Sequence, residues 1–364
     1  MNSPSVLDLP HRPGNPRNSE GAFVTLADGR LLFVYTHYYG SSWSDEATAR
    51  LCSRVSADGG RAWSARDGVV VENEGRRNVM SVSLLRLQDG RLALFYLRKN
   101  GIDDCRARLR ISADEARTWG PPTLCIPAPG YFVVNNDRVV QLSGGRLIVP
   151  ASLHRNRLPP RADPKDVYAG FDGRGIAVWF LSDDGGATWR ESRDWWALPV
   201  RSGSGLQEPG VVELSDGRLY GFCRTDVGRH YELYSEDGGD TWSAPRPSRF
   251  RAPCSPLCIK RIPATGDLLA VWNDHSGRLA PRRPEHDGTS WGRTPLVAAV
   301  SRNDGRTWSR GRLIEDDPRR GFCYTAIHFA GDAVLFAYCC GGGRTSGVLQ
   351  DLRIRRVRTD WLYG

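Results

Sequence analysis

Lysine is almost missing from this 364-residue chain: only Lys99, Lys165 and Lys260 stand among 50 basic residues, and the rest are arginines. The formal charge is +9, yet the arginines are scattered, apart from pairs such as Arg76-Arg77, Arg282-Arg283, Arg319-Arg320 and Arg355-Arg356. A nucleic-acid binder gathers its charge on one face among aromatic residues, so no nucleic-acid partner is expected. The scatter reads as a solvated surface on which single arginines are free to act as specific anion ligands. No apolar run approaches the ~18 residues of a membrane-crossing helix, which excludes a helical span. The first 21 positions also lack the apolar stretch of an export signal. The nine cysteines are odd in number and irregularly spaced. Together these features argue against a disulfide scaffold and predict a cytoplasmic protein with reduced thiols. Cys254 and Cys258, like Cys339 and Cys340, lack a second pair or histidines at metal-binding spacing. No metal and no cofactor is expected.

Turn formers, by contrast, are plentiful. The 40 glycines and 23 prolines exceed the ordinary share but stay below the ~25–30% of low-complexity chains, which points to an all-β fold with many turns. An internal repeat organises them. A Ser-x-Asp-x-Gly-x-Thr-Trp pattern starts at Ser56, Ser112, Ser182, Ser235 and Ser301, with Asn303 replacing the aspartate in the last copy. Between the copies lie apolar runs broken by glycine turns at Gly29, Gly90, Gly145, Gly217, Gly266 and Gly331, which read as six hairpins. Each hairpin, a third strand, the Trp motif and a fourth strand make one four-stranded antiparallel blade. Six such blades make a β-propeller over residues 1–364 as a single domain. The last blade lacks its fourth strand, and Ser5–Leu9 at the N-terminus is expected to supply it and close the ring. The aspartates of the motif read as turn formers rather than ligands.

This topology places the ends of the hairpins away from their turns on one rim. Arg17, Glu20, His37, Asp45 and Glu46 come from the first blade, and Asn78 and Arg98 from the second. The third offers Asn135, Asn136, Asp137, Arg138 and His154, and the fourth Glu208 and Arg224. Asn273, Asp274 and Arg293 follow from the fifth, and Tyr324 from the sixth.

At these positions the chain resembles the sialidase (neuraminidase) superfamily, whose Asp-box repeats the Trp motifs match. The segment from Glu208-Pro-Gly to Arg224 is similar to the one that carries a glutamate and the second arginine of a carboxylate-binding triad. Arg293-Thr-Pro-Leu-Val resembles the segment of the third arginine, Cys323-Tyr324-Thr that of a tyrosine nucleophile, and Ser44-Asp45-Glu46 the loop of an acid/base aspartate. The first arginine maps to Arg17-Asn-Ser-Glu20, a stretch longer than the family's, with Arg12 or a water as the alternative at that place. Tyr338-Cys339-Cys340 stands where the family often has a glutamate supporting that arginine, and Glu20 is the substitute within reach.

The resemblance implies a retaining exo-α-sialidase, or an enzyme for a related nonulosonic acid, acting on a sialylated glycan. Tyr324 is then the nucleophile, Glu208 its base and Asp45 the acid/base, while Arg17, Arg224 and Arg293 grip the sugar carboxylate. Asn78, Asn136, Arg138, His154 and Asp274 are expected to line the rest of the cavity, from their rim positions. A propeller hydrolase or lyase for another acidic sugar, and a non-catalytic glycan-binding propeller, are the alternatives.

Overall fold

The computed structural model describes residues 5–157, 168, 170–279, 289–343 and 346–364; Lys165 and the Arg282-Arg283 pair lie outside the described residues. After β1 (Ser5–Leu9) comes a sheet of β2 (Asn18–Thr25), β3 (Leu31–Tyr38), β4 (Ala49–Ser56) and β5 (Gly68–Val71). Next in the chain are β6 (Asn78–Arg86), β7 (Leu92–Gly101), β8 (Asp104–Ser112) and β9 (Thr123–Leu124). They are followed by β10 (Gly130–Val133), β11 (Val140–Gln141), β12 (Leu147–Asn156), β13 (Phe171–Ser182) and β14 (Arg190–Glu191). Two four-stranded sheets come next: β15 (Gln207–Glu213), β16 (Leu219–Arg224), β17 (Arg229–Ser235), β18 (Arg246–Arg251), then β19 (Cys258–Arg261), β20 (Leu268–Asn273), β21 (Leu296–Ser301), β22 (Arg312–Glu315). The chain ends with β23 (Cys323–Ala330), β24 (Ala333–Cys339), β25 (Leu352–Arg358) and a short 3-10 turn, Thr359–Leu362.

The chain is all-β, built of antiparallel up-and-down sheets. As expected from the sequence, β1 returns to the far end of the chain. It pairs antiparallel with β25, Leu9 opposite Leu352, as the outer strand of the order β1-β25-β24-β23. One difference concerns β6 to β14, which join into a single nine-stranded sheet. The segment before the third hairpin lies between two sheets: β10 runs parallel to β8 (Tyr131 opposite Cys105) and antiparallel to β12 (Tyr131 opposite His154). Asp137 adopts φ 59° just beyond it, and that bend leaves only Val140 and Gln141 in the hairpin strand β11.

The hairpin strands face one another in sequence: β2 packs on β6 and β23, β15 on β12 and β19, and β19 on β23. Hydrophobic cores fill the spaces between neighbouring sheets, because each inner strand is apolar on both faces. Phe33 and Tyr35 meet Ala326 and Leu335 in one such core, and Val271 and Ala298 meet Phe336 in another. The Trp motifs clamp the sheet edges. Asp184 accepts from the Thr188 N–H and hydroxyl (2.9 and 2.5 Å), Ser182 Oγ accepts from the Gly186 N–H (2.9 Å), and the Trp189 indole donates to Gly186 O (3.0 Å). A Cβ on Gly186, at φ 94°, would stand 2.3 Å from Leu109 of β8. Glycine is required there by both the backbone and the contact. Since Ser56 pairs with Leu31, these turns share one end of the sheets with the hairpin glycines and leave the other end to the functional residues.

Candidate active site

The inner strands do not run straight at that other end. Glu20, Ser81, Glu208 and Tyr324 all take positive φ (54, 58, 47 and 60°), each inside a register shift of its hairpin: Ser19/Ala22, Met80/Ser83, Gln207/Gly210 and Cys323/Ala326. A bulge inserts one extra residue and re-aims its side chain. A left-handed backbone at a non-glycine residue is strained and concentrates at functional sites. Here the four side chains line one cavity of about 660 Å³, together with Arg17, Asp45, Arg224 and Arg293. A larger groove of about 1390 Å³ lies at the opposite, turn end, where Arg218, Arg246 and Arg261 are already paired with Asp216, Glu232 and Asp304. It holds none of the chemistry described next.

At the cavity floor the Tyr324 hydroxyl donates to Glu208 Oε1 (3.0 Å), and Arg224 Nη1 donates to the same oxygen (2.7 Å) and to the Tyr324 oxygen (3.3 Å). The second Glu208 oxygen is buried without a partner among the described residues. Burial, reinforced by the Glu208 charge, pushes the Tyr324 hydroxyl well above its ordinary value, against the pull of Arg224 and Arg293. The resting tyrosine is neutral. Arg293 lies over the Tyr324 ring (5.5 Å) and beside Trp291 (5.3 Å). Both arginines have sulfur partners that no motif announced: Arg224 Nε donates to Cys254 Sγ (3.2 Å) and Arg293 Nη1 to Cys323 Sγ (3.1 Å).

Opposite them, Arg17 is enclosed at 1% exposure. It bonds Glu20 Oε1 (3.1 Å), Asp45 Oδ1 (2.5 Å) and Ser19 Oγ (2.9 Å), and stacks on Tyr38 (4.6 Å). Glu20 thus stands beside Arg17 where Tyr338-Cys339-Cys340 has no carboxylate to offer. Burial raises the Glu20 carboxyl despite Arg17. Desolvation in the cavity pushes Asp45 upward, but Arg17 and Lys99 outweigh it and hold Asp45 below the usual carboxylate range.

Among the other expected residues, His154 lines the cavity, stacked on Phe171 (5.2 Å), with burial lowering its basicity. The remaining four are not brought to the cavity wall. Asn78 lies behind the Asp45 loop and donates to the Asp45 and Ala47 carbonyls (both 2.8 Å). Asn136 lies under the strand of Tyr324 and donates to Gly21 O (2.8 Å) and Tyr324 O (3.1 Å). Arg138 bonds Leu257 O and lines a separate cavity of about 630 Å³ nearer the turns. Asp274 is occupied by Ser276, which donates its N–H (2.9 Å) and hydroxyl (2.8 Å). Asn136, Arg138 and Asp274 sit in loops, whereas Asn78 opens β6 in regular register with Lys99. Conversely, Lys99, Tyr131, Tyr168, Phe171 and Trp291 line the cavity without any sequence signal, apart from the scarcity of lysine that marks Lys99.

The BNR repeat-like domain family matches residues 53–337, more than half of the chain. No curated protein matches the sequence. Among solved structures, a protein of unknown function from Dyadobacter fermentans superposes with a TM-score of 0.72 at 15% identity, over 98% of this chain and 100% of that one. The Hadza microbial sialidase Hz136 superposes with a TM-score of 0.71 at 17% identity, over 96% and 67%. The intramolecular trans-sialidase of Ruminococcus gnavus gives 0.70 at 14% identity, over 97% of each chain. At these identities the likeness is one of fold, that of the sialidase β-propellers. The chain belongs to the BNR repeat-like domain family.

Proposed function

We propose that this protein is a retaining exo-α-sialidase, cleaving a terminal sialic acid or a related nonulosonic acid from a glycan. The observation that carries this reading is the Tyr324–Glu208 hydrogen bond of 3.0 Å with Arg224 on both partners. The same reading counts six blades, taking the nine-stranded sheet as two blades joined through β10 and β8.

The chemistry follows from the substrate's charge. A sialoside bears its carboxylate on the anomeric carbon, so a carboxylate nucleophile would meet electrostatic repulsion there. A neutral tyrosine avoids it, and sialidases are a known exception to the two-carboxylate pattern of glycosidases. Phenol is a weak nucleophile at neutral pH and needs a base within hydrogen-bond reach. Glu208 holds that position, so the Tyr324 proton passes to it as the oxygen attacks. Arg224 and Arg293, with Arg17, supply fixed, always-charged donors for the sugar carboxylate. Asp45, at the cavity mouth with a 53% exposed side chain, protonates the departing oxygen and then activates the water that releases the sugar. His154 and Phe171 border the space left for the rest of the ring.

Hydrolysis of a fluorogenic sialoside by the purified protein tests the proposal. Release that disappears in Tyr324→Phe supports it. Equal release by wild type and Tyr324→Phe, or no release by wild type, overturns it.

A further inference from the structure

Arg17 has little left to offer an incoming anion. Its Nε donates to Ser19, its Nη1 to Asp45 (2.5 Å) and to Trp43 O (3.4 Å), and its Nη2 to Glu20 (3.1 Å). One Nη2 hydrogen remains. A two-pronged grip on a carboxylate needs two parallel donors, so a carboxylate that binds Arg17 must dislodge a resident one. The two residents are unequal. Glu20 is 4% exposed, sits in a left-handed backbone, and accepts a second bond from Ser81 Oγ (2.8 Å). The Asp45 side chain is 53% exposed and has no hydrogen-bond partner besides Arg17 among the described residues. Its main chain, however, is anchored: Asn78 Nδ2 (2.8 Å) and Lys99 Nζ (2.9 Å) both donate to the Asp45 carbonyl. The carboxylate can swing away by side-chain rotation while its backbone stays at the cavity mouth.

We infer, resting on the sialidase reading above, that the substrate carboxylate takes the place of Asp45 on Arg17 and that this exchange turns Asp45 from a counter-ion into the general acid. The groups facing Asp45 make the direction of the change clear. In the free protein the cations Arg17, Lys99 and Arg293 surround it, with Glu20, Glu46, the Tyr38 hydroxyl and the Cys105 thiol as other titratable neighbours. Exchange removes the Arg17 bond and brings a second negative charge beside Asp45. Both changes favour its protonated form. The proton is drawn from solvent as the ligand binds, and Asp45 later hands it to the departing glycosidic oxygen. A sugar without the carboxylate leaves Asp45 ionised on Arg17, so the device reserves acid catalysis for carboxylate-bearing substrates.

Linkage makes this measurable. If binding raises the Asp45 value, the complex holds a proton that the free protein lacks at pH values between the two. Binding then takes up a proton and tightens as pH falls through that window. The probe is an unsaturated 2-deoxy sialic acid analogue, titrated calorimetrically in buffers of different ionisation enthalpy, with the full chain as wild type, Asp45→Asn and Glu20→Gln. The expected result is proton uptake in wild type and Glu20→Gln but not in Asp45→Asn, which binds several-fold tighter because its internal competitor has lost its charge. Binding without uptake in wild type, or uptake that survives in Asp45→Asn, overturns the exchange and leaves the sialidase reading standing. Absence of binding by all three proteins overturns that reading, and the exchange with it.

Discussion

Tyr324 and Glu208 are 116 positions apart, yet the tyrosine hydroxyl rests 3.0 Å from the glutamate oxygen. Each occupies the left-handed residue of a bulge in its hairpin strand. Two independent distortions thus point at one another across the cavity. Straight strands would alternate their side chains and turn one of the pair into a core.

The first prediction tests that pair. A 3-fluorinated sialosyl donor with a good leaving group should trap a covalent adduct on Tyr324, because fluorine beside the anomeric carbon slows hydrolysis of the intermediate. Tyr324→Phe keeps the ring under Arg293 and should fold normally while losing the adduct. Glu208→Gln should slow its formation, since the phenol loses its base. Intact-protein and peptide mass spectrometry read the outcome, and an adduct that persists in Tyr324→Phe rules the nucleophile out.

Asp45→Ala should be slowed by about 10²–10⁴ on natural sialosides, the usual worth of a positioned general acid. An activated aryl sialoside departs as a stable anion and should lose far less. Steady-state kinetics on the two substrate types decides it. Equal losses on both count against Asp45 as the acid.

Arg293→Lys keeps the charge but loses the planar contacts to Trp291 and Tyr324 and the bond to Cys323. A lost charge-assisted hydrogen bond is worth about 1.5–3 kcal/mol, so kcat/KM should fall about ten- to a hundredfold with the melting temperature unchanged. Near-normal kinetics removes Arg293 from the carboxylate grip.

The Trp-motif turns should make stability acid-sensitive. Hydrogen bonds from the Thr118 and Thr188 hydroxyls, then from their N–H groups, hold Asp114 and Asp184 at about 2, below the ordinary 3.8. Carboxylates depressed on folding contribute stability that is complete above the ordinary value and is lost as pH falls toward the folded one. Because these groups are solvent-exposed, the contribution is modest. Asn303 shows that an amide fills the same place, accepting from the Thr307 N–H (2.8 Å) and donating to its hydroxyl (2.9 Å). Asp114→Asn with Asp184→Asn should therefore match wild type near neutral pH and lose less melting temperature between pH 4 and pH 2. Parallel melting curves across that range disprove it.

Much of this protein was legible before folding. The five Trp motifs and six glycine turns are local chemistry, read at short range, and they dictated an all-β chain whose N-terminal strand pairs with its C-terminal one. The same arithmetic brought Arg17, Asp45, Glu208, Arg224, Arg293 and Tyr324 to one end, and all six line the cavity. It did not foresee that β10 bridges two sheets, because that pairing joins residues with no common motif. Nor did it separate His154, which lines the cavity, from Asn78, Asn136, Arg138 and Asp274, which do not. A rim position specifies a height along the strand, whereas a bulge or a loop decides the direction.

By itself, then, the sequence determined the repeat, the hairpins and the end of the sheets at which charge collects. These depend on turn residues and hydrophobic alternation, which act over a few positions. Only the tertiary structure decided which other side chains meet: Cys254 and Cys323 on Arg224 and Arg293, and Asp45 held as a counter-ion under a carbonyl anchored by Asn78 and Lys99. Those contacts arise where strands from different sheets converge, and the positive φ values that aim them are sustained by the packing of the whole assembly rather than by any residue's own preference.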